Sequence, residues 1–124
     1  MEKAIEQIED FVTKYKINPE NQFKKILEEI EEYKKDHDPK ELADIVISCI
    51  GYGLLFNSQY GQVPDGNLPF GLLKKFQITQ EFVNEAYEIA GSQNIDLTSL
   101  IKEKVEVNAN RTWETQENGT LHHV

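Results

Sequence analysis

Leu42-Ala43-Asp44-Ile45-Val46-Ile47-Ser48-Cys49-Ile50 is apolar except at Asp44 and Ser48. A helix this apolar on most sides belongs at the centre of a domain, not on its surface. Directly upstream, Asp38-Pro39-Lys40-Glu41 has the form of a helix start, with Asp38 as N-cap and Pro39 in the first helical position. The stretch therefore predicts a central helix running to about Phe56. Gly51 and Gly53 weaken it and open it to a bend or to close helix packing. Asp44 is the anomaly, because a carboxylate among apolar neighbours is costly unless its charge is compensated.

Working outward, the same periodicity recurs on both sides. Ile5, Ile8, Phe11, Val12 and Tyr15 share one face of a helix from about Glu2 to Tyr15. Asn18-Pro19 starts a second helix, striped by Phe23, Ile26, Leu27, Ile30 and Tyr33 and ending near Lys35, where Lys34-Lys35 suits a helix C-terminus. Past the central helix, 57–75 holds Gly61, Pro64, Gly66, Pro69 and Gly71, so it reads as an irregular loop or lid. Thr79 is expected to cap a fourth helix ended by Gly91, and Asp96 a fifth with Leu97, Leu100, Ile101 and Val105 inward. Residues 114–124 read as a polar, frayed tail, with no strand expected. The expected fold is an all-α bundle of about five helices in one domain spanning 1–124, with its core at about 19–113.

Composition restricts what such a domain does. The chain's 124 residues suffice for one modest core. A net charge of -9 argues against a nucleic-acid partner, which needs a basic surface. The single cysteine, Cys49, forms no internal disulfide, so a cytoplasmic setting is expected, with Cys49 as a small buried residue. No apolar run approaches the ~20 residues of a membrane span, so no membrane partner is expected.

The acids have a spacing. Glu29 and Glu32 lie three apart on the second helix, and Glu41 and Asp44 three apart on the third, so each pair shares a face. A short connection makes these helices antiparallel, which sets Glu32 opposite Glu41 and Glu29 opposite Asp44. Four carboxylates on one patch repel one another unless a cation intervenes. Oxygen ligands point to Mg2+ or Mn2+ and away from zinc. His37, His122 and His123 add no ligand set. Three blander readings compete, the first being that Asp44 makes a buried ion pair or a hydrogen bond to a neighbouring helix. Glu41 stands three residues after Asp38 and so can complete a capping box. Glu28-Glu29-Ile30-Glu31-Glu32 can be a solvated face balanced by Lys24, Lys25, Lys34 and Lys35.

Glu28-Glu29-x-x-Glu32 followed by Glu41-x-x-Asp44 resembles the EExxE…ExxD signature of the MazG-like all-α nucleoside triphosphate pyrophosphohydrolases, relatives of dimeric dUTPases and phosphoribosyl-ATP pyrophosphohydrolase. Lys104 to Trp113 resembles the family's closing K…N..R motif, so the likeness runs from about Gln22 to Trp113. The gap between the acidic motifs, 33–40, is at the short end for the family.

The resemblance implies metal ligands Glu29, Glu32, Glu41 and Asp44, with catalytic roles for Glu28 and Glu29, Glu28 in support of the attacking water. It implies that Lys104, Asn108 and Arg111 bind the triphosphate, with Trp113 against the base or the core. The implied reaction is Mg2+-dependent (or Mn2+-dependent) hydrolysis of a nucleoside triphosphate, most plausibly a deoxynucleotide, to a monophosphate and pyrophosphate, in a homodimer or homotetramer. A narrower dUTPase-like or dCTPase-like enzyme, and a non-catalytic acidic helical interaction protein, are the alternatives.

Overall fold

The computed structural model describes residues 1–68 and 71–110 and, beyond them, two short strands. Five helices carry the fold: α1 (Glu2–Lys14), α2 (Pro19–Asp36), α3 (Pro39–Tyr60), α4 (Leu72–Ser92) and α5 (Leu97–Ala109). The all-α expectation holds for the core. The expected frayed tail is corrected, because β1 (Trp113–Thr115) and β2 (Leu121–His123) pair antiparallel, Glu114 opposite His122.

α3 is the hub and packs against each of the other four helices. Its Leu42, Ala43, Val46 and Tyr52 are essentially sealed from solvent, together with Ile26 of α2 and Ile101 of α5. By length and composition alone α3 can cross a membrane, which departs from the expectation of no such run. Its apolarity has a local cause, since a helix packed on all sides needs no polar face.

Local signals explain most boundaries. Asn18 Oδ1 accepts from the Asn21 amide at 2.8 Å, and Pro19 occupies the first position of α2. His37 closes α2 in the left-handed conformation (φ 54°), its amide donating to the Tyr33 carbonyl. Asp38 Oδ1 accepts from the Lys40 amide at 3.0 Å, and Asp96 Oδ1 from the Ser99 amide at 3.2 Å.

Two expectations about the middle of the chain are corrected. α3 continues beyond Phe56 to Tyr60, and α4 begins at Leu72, well before Thr79. The apolar residues Leu72, Leu73 and Phe76 account for the earlier start. They pack on the core, where the Phe76 ring stacks on Phe56 with centroids 4.6 Å apart. Thr79 is buried inside α4, and its hydroxyl donates to the Phe76 carbonyl three residues back, an alternative to capping that threonine adopts within helices. Gly71, left-handed at φ 80°, supplies the turn into α4.

Candidate functional site

The α2–α3 hairpin sets the site's geometry. Near its open end the amide of Gln22 donates to the Ser48 carbonyl at 2.9 Å, and a Cβ on Gly51 would lie 2.9 Å from that same amide nitrogen. Gln22 therefore faces Gly51. Seven residues further along α2, and seven back along α3, stand Glu29 and Asp44. Three more bring Glu32 and Glu41. A step down one helix matches a step up its antiparallel neighbour, so the three pairs are rungs of one polar seam.

Charge effects follow the same register. Glu29 is 7% exposed, and its carboxyl is pushed up from 4.5 to about 8. Loss of solvent is the main cause, followed by the negative charge of Asp44 and, more weakly, of Glu32 and Glu28; Lys25 opposes them. Glu41 is half-buried, with Oε2 enclosed. It is raised to about 7, first by desolvation, then by a hydrogen bond and charge from Asp36, then by Glu32 and Asp38. Both predicted pairings are felt electrostatically: Glu29 feels Asp44 first among the acids, while Glu41 feels Asp36 first and Glu32 behind it.

Lysines answer the inner pair. Lys25 Nζ lies 3.7 Å from Glu29 Oε1 and 3.9 Å from Glu28 Oε2. Lys104 Nζ reaches from α5 to within 3.8 Å of Asp44 Oδ1. These distances exceed those of strong hydrogen bonds, so the ammonium groups neutralise charge without a tight geometric hold.

The predicted residues divide accordingly. Glu29, Asp44 and Lys104 meet at the inner end of the seam. Glu28 is half-buried beside Lys25, while Glu32 is exposed. Glu31 pairs with Lys34 at 3.4 Å on the open surface, so the solvated-face reading fits this part of α2 and not Glu29. Asp38 caps through the Lys40 amide, and the Glu41 carboxyl is engaged by Asp36, so no capping box ties it up. Asn108 is half-buried on α5, one turn beyond Lys104. α5 ends at Ala109. Arg111 itself, and the side chain of Trp113, lie outside the described residues. Among the described residues no three acidic, histidine or cysteine side chains are grouped closely enough to hold one ion as they stand.

Gln22 and Asp36 are not anticipated as members of the seam, and Lys25 is anticipated only as a counterion of a solvated face. Their signals were present: Lys25 is four residues, and Gln22 seven, before Glu29 on the same helix face. Asp36 ends α2 beside the start of α3.

A separate groove of about 470 Å³ between α3 and α4 is lined by Cys49, Ile50, Gly53, Phe76 and Gln80 among others. Ile50 and Gly53 lie six and nine residues beyond Asp44, about 240° and 180° around α3, so the groove opens on the opposite side of the helix from the acids. No protein-family model, curated protein or solved structure matches the chain.

Proposed function

We propose that the protein is a metal-dependent nucleoside triphosphate pyrophosphohydrolase of the MazG-like kind, converting a (d)NTP to a (d)NMP and pyrophosphate. One observation carries the reading: Glu29 is almost fully buried directly across the hairpin from Asp44, an arrangement that is costly without a cation. A solvated acidic face has no need of such a pair. Glu41, half-buried beside Asp36 and Glu32, supports the same reading as a further carboxylate on the seam.

In this reading Glu29, Glu32, Glu41 and Asp44 hold Mg2+ or Mn2+. The bound ion supplies charge neutralisation for phosphate oxygens and a water of lowered pKa. Glu28, a half-buried neighbour of Glu29, is the carboxylate that would position an attacking water. Lys104 lies beside Asp44, where an ammonium is placed to meet the negative charge of the departing pyrophosphate. Asn108 and Arg111 add donors to the phosphates, and Trp113 a surface for the base. Exposed Leu27, Tyr87 and Val107 are the apolar residues that a second copy would cover in a homodimer or homotetramer.

A panel of NTPs and dNTPs, including dUTP and dCTP, assayed with Mg2+ or Mn2+ tests the reading. Pyrophosphate release is expected; orthophosphate alone contradicts the cleavage point. The rival, an acidic helical interaction protein, predicts neither turnover nor divalent-metal binding.

A further inference from the structure

Lys25 is drawn into the acidic seam from within α2. It sits one turn before Glu29, its side chain is 18% exposed, and its ammonium lies between Glu29 and Glu28 at 3.7 and 3.9 Å. A helix-surface lysine ordinarily extends its charge into water; Lys24, the adjacent residue, is exposed. Lys104 approaches the partner acid, Asp44, from α5. Each member of the inner carboxylate pair therefore carries an ammonium, and the two come from different helices.

We propose that Lys25 is a resident counter-cation, displaced from Glu29 by a divalent ion and then available to a phosphate oxygen of the substrate. The proposal rests on the nucleotide-hydrolase reading. A divalent ion at Glu29 repels a unit positive charge a few ångströms away, and partial burial leaves that repulsion incompletely screened. The flexible four-carbon stem lets the ammonium leave the carboxylate while α2 stays in place. An incoming triphosphate brings the negative charge that the ammonium has lost. Lys25 thus lowers metal affinity in the free protein and raises nucleotide affinity in the metal-loaded one.

These opposed effects separate the role from a structural one. In the full chain, above pH 8 where Glu29 is ionised, Mn2+ binding is measured by titration calorimetry, and the KM for a hydrolysed dNTP at saturating Mn2+. Lys25→Met keeps the apolar stem and removes the charge. It is expected to bind Mn2+ about tenfold more tightly and to raise KM about tenfold. Lys25→Arg keeps both values near wild type. Lys24→Met, which makes the same change in net charge, moves neither by more than about twofold. If wild type binds no Mn2+, the hydrolase reading itself fails. If wild type binds and turns over but Lys25→Met leaves Mn2+ affinity equal or weaker, the counter-cation role fails and the hydrolase reading stands. Tighter Mn2+ binding with an unchanged KM overturns the transfer to phosphate.

Discussion

Glu29 and Asp44 face each other across the α2–α3 hairpin, and each is answered by a lysine from a different place: Glu29 by Lys25 one turn away, Asp44 by Lys104 of α5. Burial is deepest at Glu29, and the mutual repulsion of the pair adds to the cost of ionising it. The lysines offset this only in part, since the Glu29 carboxyl still sits at about 8. The metal-free hairpin is held together by its apolar packing in spite of these charges. That makes the pair sensitive to pH and, on the proposed reading, to divalent cations.

Glu29→Gln should stabilise the metal-free protein at alkaline pH. A carboxyl raised from 4.5 to about 8 favours the fold while protonated; that contribution is complete below about 4.5 and is lost as pH rises through about 8. Glutamine never ionises, so the variant escapes the loss. At ~1.4 kcal/mol per unit the ceiling is near ~5 kcal/mol, and local relaxation and water entry reduce it to about 2–4 kcal/mol. Urea unfolding at pH 9 should show a gain of that size, and at pH 4 close to none. Equal stability of the two proteins at pH 9 would contradict the burial argument.

Metal binding should release protons. At pH 7 the Glu29 carboxyl is largely protonated and Glu41, at about 7, is half so, and a cation binds only the ionised forms. Mn2+ titrations in two buffers of different ionisation enthalpy should report about one proton released per binding event at pH 7. Affinity should climb between pH 5 and 8 and level off above. A buffer-independent heat would mean that the ion binds elsewhere.

Asp44→Asn should separate chemistry from folding. On the proposed reading Asp44 is a metal ligand, and losing its share of charge stabilisation should lower the hydrolysis rate about a hundredfold or more. Without metal, two effects oppose each other. The variant loses the 3.8 Å pair with Lys104, which is partly exposed and worth little, and it relieves the repulsion on buried Glu29. The relief is felt where Glu29 is ionised, so the variant should unfold at equal or higher urea at pH 9. Strong destabilisation would give Asp44 a structural role.

Much of this hairpin was legible in the sequence because helical spacing and antiparallel register are rigid rules. Asn18-Pro19 and Asp38-Pro39 fixed two helix starts, and from those the pairing of Glu29 with Asp44 follows. Elsewhere tertiary packing overrode local signals. Thr79 looks like an N-cap, yet Leu72, Leu73 and Phe76 extend α4 past it to reach the core. Lys25 looks like one more surface cation, and only its 18% exposure beside Glu29 distinguishes it. Residues 113–115 and 121–123 carry no alternating apolar pattern, so nothing local announces their pairing.

Cys49 should be inert in the folded protein. It is 4% exposed, and burial pushes its thiol up to about 12, while the thiolate is the reactive form. A thiol reagent at pH 8 should label it no faster than the chain unfolds, and urea above the midpoint should release one equivalent at once. Rapid native labelling would show that the α3–α4 groove opens to admit reagent.

Gly51→Ala tests how closely α2 and α3 are packed. Glycine within a helix costs about 1 kcal/mol relative to alanine, so propensity alone favours the change. Against it, the new Cβ would stand 2.9 Å from Gln22 Nε2 and 3.4 Å from Val12 Cγ1. The Gln22 amide must move, and its hydrogen bond to the Ser48 carbonyl is lost at a site where both residues are buried. An unsatisfied buried amide costs about 1–3 kcal/mol, which exceeds the gain in propensity. Net destabilisation of about 1 kcal/mol is expected from urea midpoints. In a Gln22→Ala background the amide and its clash are both absent, so the same Gly51→Ala change should be neutral or stabilising. A stabilising effect in the wild-type background would mean that Gln22 accommodates the methyl group without giving up Ser48.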